Sequence, residues 1–479
     1  GFHYGWSGGH RMVAEELPDG RRQIQFGNAS LIELAPGRLF ETAPLYATFS
    51  DRGINGCGTA FQRHLRDRIV TFPDKTRSRP VHYNCWEAVY FDHNLNELKE
   101  MAELAAHLGA ERFVLDDGWF GQRNDDTSSL ADWEIDKRKF PDGLAPLVDH
   151  VHKLGMTFGI WFEPEMVNPD SNVYRANPEW VLGDADQILG RHQLVLDMSL
   201  EDVQDYLFDC IEAVLSKNAI DYVKWDHNRV LPFPDASQTR GFYRLLDRVR
   251  EAFPKTEIES CAAGGGRIDF GVLERAHRVW LSDSNDALER MRMQHEAAVF
   301  LPMAVTGSHV GPRKCHTSGR VLDIRIRAWV AAQRHMGFEL DPRELTEEEA
   351  KVLRNVTSWW KSNRDWRQNA DILRLDSPDP TIIAEQQLEQ NGGRFVLFVG
   401  NLANSAQISP RPLRLTELAP NALYKVELIN RHDADTQSRG RTALKHGPLE
   451  LRGSFLMNHG IVLPCSNPQS MWVLEGTRL

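Results

Sequence analysis

The chain has 479 residues, 41% of them hydrophobic and 26% charged, with a net charge of −11. That length calls for two or three cores, or for one barrel with further domains attached. No apolar run approaches the ~18 residues of a membrane span, and mixed charge without a long basic run argues against a nucleic-acid partner.

The first 50 or so residues read as strands: RRQIQFG and LYATFS alternate between Pro and Gly turns. A short helical stretch follows near 56–70. From about residue 80 short apolar runs alternate with amphipathic segments. Leu95, Leu98, Met101, Leu104, Ala105 and Leu108 recur at helical spacing, with Gly109 as a C-cap. Val203–Leu215 and Phe242–Val249 repeat the pattern. Between the helices lie eight strand-like runs: NCWEAVYF, RFVLDDGW, TFGIWFEPEM, QLVLDM, YVKWDHN, EIESCA, VWLSDS and AVTGSHVG. The simplest architecture with that count is a closed (β/α)8 TIM barrel. LTEEEAKVLRNVTSWWKSN at 345–363 opens with a Thr-x-x-Glu capping box. After about 370 strands return in GRFVLFVGNL, LYKVELIN and GIVLPC, as in an antiparallel β-sandwich. The expected fold is thus α/β: a β-rich N-terminal remnant and linker helix over 1–75, a barrel over 76–365 and a C-terminal sandwich over 366–479.

The chemistry concentrates where barrel strands end. The second run ends Asp116-Asp117-Gly118-Trp119, the third Trp161-Phe162-Glu163-Pro164-Glu165, and the fourth Asp197, after Arg191 and His192. The fifth ends Lys224-Trp225-Asp226, the sixth Cys261 before Gly264-Gly265-Gly266-Arg267, and the seventh Asp283-Ser284-Asn285-Asp286. One acid at a strand end is often a helix cap. A whole rim of carboxylates is costly unless cations and a polyhydroxylated ligand pair with them. Tryptophans beside them suit the apolar face of a pyranose, although each of Trp119, Trp161 and Trp225 suits core packing equally. A glycosidase needs one ionised and one protonated carboxyl group. Asp226, two residues from Lys224 on one strand face, fits the first role. Asp283 fits the second, pushed towards protonation by its neighbours. The GGGR run lacks a phosphate-loop pattern and lets backbone approach a ligand closely. His309 and His316 carry no metal-binding spacing and read as structural histidines. The six cysteines are scattered, which reads as thiols of a reducing, cytoplasmic compartment.

The segments WEAVYFDHN, RFVLDDGWFGQRNDD, GIWFEPEMVNPDS, GRHQLVLDM, DYVKWDHNR, ESCAAGGGRIDFG, VWLSDSNDALER and GSHVGPRKCHT, in this order, resemble glycoside hydrolase family 36 over roughly residues 1–365. The resemblance implies a retaining α-galactosidase acting on α-galactoside oligosaccharides such as melibiose and raffinose, with no cofactor and no metal. It implies Asp226 as nucleophile and Asp283 as acid/base, with Asp286 the alternative in the same loop. It also implies that Asp116 and Asp117 hold the 4- and 6-hydroxyls of galactose, and that Trp161, Arg191, Lys224, Cys261 and Gly264 make further sugar contacts, the last two near the 2-position. Ser284 and His227 stand where the family pattern carries Asn and Met. Full-length members have a large N-terminal β-supersandwich and form homo-oligomers. Only the last stretch of that domain, around HYGWSGGH, matches here, and with Gly1 first and no signal peptide the chain reads as a fragment or processed piece. Three alternatives share these residues: an α-N-acetylgalactosaminidase, a galactosyl transferase of raffinose-synthase type and an inactive sugar-binding fragment.

Overall fold

In the computed structural model, which describes residues 1–29, 32–184, 186–409, 411–433 and 442–479, eight parallel strands close on themselves. They are β1 (His82–Asn84), β2 (Arg112–Leu115), β3 (Thr157–Phe162), β4 (Tyr222–Trp225), β5 (Glu257–Ser260), β6 (Arg278–Trp280), β7 (Thr306–Val310) and β8 (His335–Phe338). Gly337 pairs with His82 and shuts the ring. Each strand feeds a helix: α1 (Leu95–Leu108), α2 (Ala145–Lys153), α3 (Glu201–Lys217), α4 (Ala236–Ala252), α5 (Phe270–Leu273), α6 (Ala287–Ala297), α7 (Ile324–Ala332) and α8 (Glu347–Arg367). The helix signals work as expected. Asn94 caps α1, Gly109 ends it in the left-handed region, and Leu98, Met101, Ala105 and Leu108 are its buried face. Thr346 and Glu349 form the capping box of α8.

The strand assignment needs two corrections. QLVLDM is no barrel strand: Leu194–Val195 pairs antiparallel with Met166–Val167 in a small sheet beside the barrel. The eighth strand is instead His335–Phe338, whose interior positions are polar or small. Asp226 therefore ends the fourth strand, and Asp283 follows the sixth. Of the first run only Asn84 is strand, the rest of β1 lying just before it, because WEAV turns into a short helix at Trp86–Val89.

The interior explains why β8 is hard to read. In place of layers of aliphatic residues, the barrel holds Arg112, Tyr222, Glu257, Glu259, Arg278, His309 and His335, all buried. Glu257 accepts from Arg79 and Arg112, both at 3.0 Å. Tyr222 donates to Glu259 at 2.6 Å, and Arg278 bonds Glu259 and both histidines. Gly307 and Gly337 supply the room, since a Cβ there would strike Arg278 or His309. Buried charges are tolerable only when paired, and this set is paired across six strands.

The C-terminal antiparallel region is one six-stranded sheet among the described residues, with strands Asp371–Leu375, Ile382–Leu388, Arg394–Asn401, Ser470–Arg478, Leu423–Leu428 and Leu449–Arg452 in spatial order. One face packs on α7 and α8 through Arg334–Glu385 (2.6 and 2.7 Å), Arg367–Gln387 (2.8 Å) and the Trp359–Phe398 ring contact. The other buries Leu373, Leu397, Trp472 and Leu474 with Leu413, Leu415 and Leu456. At the N-terminus Phe2–Tyr4 pairs with Leu45–Ala47, and His10–Glu16 with Arg22–Asn28. His3 and Ser7 fasten this part to Phe270 and Asp269, just past the GGGR run. No helix of the described residues is long and apolar enough to cross a membrane.

Candidate active site

The carboxylate rim forms at the C-terminal mouth of the barrel. Asp116, directly after β2, accepts from Lys224 at 2.9 Å and from Asn84 at 2.6 Å. Lys224 is buried on β4 and so is fixed between that carboxylate and Asp226. Asp226 is itself buried and receives three donors. Asn228 Nδ2 (2.7 Å) and Trp161 Nε1 (3.2 Å) reach Oδ2, the His227 N–H (2.8 Å) reaches Oδ1, and the Cys261 thiol helps to hold the carboxylate ionised. Burial alone would raise the Asp226 pKa. The Lys224 ammonium and the donors outweigh burial and hold it below the ordinary carboxylate value.

Asp283 lies three residues beyond β6. It opens to solvent at the mouth, yet protein surrounds it closely. Burial and the charge of Asp226 raise its pKa to about 6. It has no hydrogen-bond partner among the described residues. The β5 terminus lies between these two acids, and the Cys261 thiol senses the charge of both, its own pKa being pushed well up by burial. The two acids thus share one site with opposite protonation preferences.

The glycine run belongs to this arrangement in an unexpected way. Gly264 adopts φ +82°, and a Cβ on it would lie 2.5 Å from Ser282 Cα and 3.0 Å from Asp283 N. The backbone that it lets approach closely is that of the Asp283 loop. Gly264→Ala is therefore expected to lose about 1–3 kcal/mol of stability and, by shifting Asp283, at least about tenfold in turnover. Thermal unfolding and steady-state rates on the same preparation check both effects.

The remaining residues singled out from the sequence divide. Both oxygens of Asp117 receive Arg123, at 2.6 and 2.9 Å, in a pair buried throughout. Trp161 is buried and holds Asp226. Trp119 donates to the Trp161 carbonyl inside a cluster with Phe120 and Phe162, and Trp225 donates to Glu165. Trp119 and Trp225 are core residues. Arg191, at φ +51° beside His192 at φ +58°, sits in the field of Glu163, Asp226 and Asp117. Asp286 caps α6 and accepts from Leu288 and Glu289 N–H groups, Ser318 and Arg320. It is engaged as a cap, whereas Asp283 has no such bond among the described residues. His309 Nε2 accepts from Arg278 and its Nδ1 pairs with Glu339, and His316 pairs with Glu87.

Asn228 and the two glutamates of the third run complete the site, in roles that the sequence reading did not assign. Asn228 bridges Asp226 and Glu163, its N–H reaching Glu163 at 2.5 Å. Burial and Asp226 raise the Glu163 pKa to about 8, so it is protonated at neutral pH and spares the nucleophile candidate a second adjacent charge. Glu165 is ionised in a bidentate pair with Arg267 at 2.6 and 2.8 Å. The D-H-N and F-E-P-E strings were the available signals, but which acid pairs with a cation is decided by tertiary neighbours.

The Melibiase family pattern matches residues 39–370. The chain is 41% identical to an α-galactosidase of Escherichia coli, covering 98% of this chain and 68% of the relative. It is 40% identical to α-galactosidase AgaA of Geobacillus stearothermophilus, covering 86% of this chain and 59% of that one. A variant of AgaA, a GH36 α-galactosidase solved in complex with raffinose, superposes with a TM-score of 0.91 at 32% identity, over 100% of this chain and 67% of that one. The galactosidase domain of the α-galactosidase–sucrose kinase AgaSK gives a TM-score of 0.90 at 31% identity, over 100% of this chain and 66% of that chain. The chain spans about six tenths to two thirds of the length of the relatives it matches.

Proposed function

The chain belongs to the Melibiase family, and on that footing we propose that it is a retaining α-galactosidase, removing terminal non-reducing α-D-galactosyl residues from oligosaccharides such as melibiose and raffinose. The observation that carries this reading is the split between its two central acids at one rim: Asp226 is held below the ordinary carboxylate value, while Asp283 is raised to about 6 and so keeps its proton on the acidic side of neutrality. In the first step an Asp226 oxygen attacks the anomeric carbon while the glycosidic bond breaks, and the Asp283 proton passes to the leaving oxygen. In the second step the Asp283 carboxylate takes a proton from water. That water attacks the anomeric carbon and releases Asp226 as carboxylate. Two inversions give net retention. The acids follow β4 and β6, two strand spacings or about 9–10 Å apart along the sheet. Retention calls for carboxyl groups ~5–5.5 Å apart, whereas inversion calls for ~6.5–9.5 Å.

In this reading Asp116 and the Arg123-braced Asp117 accept sugar hydroxyls through their remaining lone pairs. Lys224 and Arg191 bind the same sugar, and Cys261 and Gly264 bound the space at its 2-position. The buried Cys261, committed to Asp226, supports a 2-hydroxyl over a bulkier 2-acetamido group. The raffinose complex of the AgaA variant supports raffinose-type ligands. A cytoplasmic location is part of the same proposal, supported by thiols at Cys57, Cys85, Cys210, Cys261 and Cys315 with no disulfide among them.

Proton NMR during hydrolysis of p-nitrophenyl α-galactoside tests the mechanism. The α-anomer of galactose is expected first, with the β-anomer growing in later by mutarotation. If β-galactose is formed first, the double displacement is wrong.

A further inference from the structure

We propose that residues 316–320 act as a positioning hairpin for the general acid, fixing the aim of Asp283 without touching it. The inference rests on the reading of Asp283 as acid/base. Asp283 carries no hydrogen bond from a described residue, so its direction is set by the backbone of its own loop. Gly264 backs that loop on one side. On the other side the three residues after Asp283 are each held by the same short segment.

Thr317 Oγ1 donates to Ser284 Oγ at 3.0 Å. Ser318 Oγ donates to Asp286 Oδ2 at 2.6 Å, and Arg320 bonds the same oxygen. Asn285 donates to Glu87 at 2.5 Å, and Glu87 is paired with His316 Nδ1 at 3.0 Å. The segment has its own frame. Cys315 N–H donates to the Arg320 carbonyl at 2.9 Å, Gly319 N–H donates to the Cys315 carbonyl at 2.8 Å, and Lys314 bridges to Val321. A closed turn thus contacts Ser284, Asp286 and, through Glu87, Asn285. Ser284, where the family pattern carries Asn, supplies a hydroxyl that accepts from Thr317.

A residue that positions the acid has a kinetic signature that a purely structural residue lacks. Melibiose loses a sugar hydroxyl, which needs its proton in the transition state. p-Nitrophenyl α-galactoside loses a phenolate that departs without one. In Thr317→Val/Ser318→Ala, kcat/KM on melibiose, which reports the acid-assisted first step and not the second step common to both substrates, is expected to fall about 10- to 100-fold, part of the ~10²–10⁴-fold that a general acid supplies. On the p-nitrophenyl substrate it is expected to fall less than about threefold on the same scale. Adding back the hydroxyl, as Thr317→Ser in a Ser318 background, restores the melibiose rate. His316→Gln, measured in the same way, acts through Glu87 and Asn285 and gives the same split. Equal losses on both substrates, or an unchanged melibiose rate, would overturn the hairpin's role while leaving the acid assignment intact. A wild-type chain that cleaves neither substrate would instead reject the hydrolase reading itself.

Discussion

Replacing Asp226 by Ala is expected to abolish turnover of every α-galactoside, lowering kcat by at least about 10⁴-fold, in the range seen when a covalent nucleophile is removed. The loss has two sources. The two-step path disappears, and the positive charge developing at the anomeric carbon loses the carboxylate opposite it. The environment offers no substitute. The neighbouring acid Glu163 is protonated at neutral pH and already engaged by Asn228 and Gln193. Asp116 is tied to Lys224 and Asn84. Binding should survive, because Asp116, Lys224 and Arg191 are untouched. Calorimetry with galactose beside steady-state rates separates the two effects. Residual turnover within about tenfold of wild type would show that the nucleophile lies elsewhere.

The second large effect concerns Asp283 and pH. Asp283 acts in its protonated form, and its pKa stands at about 6. kcat/KM for an unactivated substrate should therefore fall as pH rises through about 6. It should also fall in strong acid, where Asp226, held below the usual carboxylate range, takes up a proton. The profile is a bell on the acidic side of neutrality. Asp283→Asn should remove the descending limb and lower the rate on melibiose by about 10²–10⁴-fold. A descending limb that persists in Asp283→Asn would assign it to another group, Glu163 being the first to examine.

Much of this architecture was legible because it rests on strong local signals. Helix spacing, the Asn94 and Thr346 caps and the apolar runs of β2 to β4 are local features, and they suffice for a barrel. QLVLDM misled because it alternates like a buried strand, yet it forms only a two-residue ladder beside Met166–Val167. β8 went unseen for the opposite reason. His335 and Gly337 face a polar interior, so the strand lacks the apolar alternation that marks an ordinary one. At the site, Lys224, Asp226, Cys261 and Asp283 were readable as strand-end residues, and the structure gathers them at one rim. The engagement of Asp117 by Arg123, the shielding of Asp226 by Asn228 and the neutral state of Glu163 were not readable. The first two partners lie only six and two residues apart, but whether their side chains turn towards each other is set by the surrounding fold, and Glu163 meets Asn228 across 65 residues.

The ionic filling of the barrel has a consequence for how the chain folds. Aliphatic interiors tolerate partial assembly, since each added strand contributes roughly in proportion to the surface it covers. Here a ring short of its last member would leave Arg278 without the His335 nitrogen that accepts from it. Partly closed forms thereby lack polar contacts that only the whole ring supplies. Ring closure should be a concerted event late in folding, and chains truncated before residue 335 should collapse without a barrel.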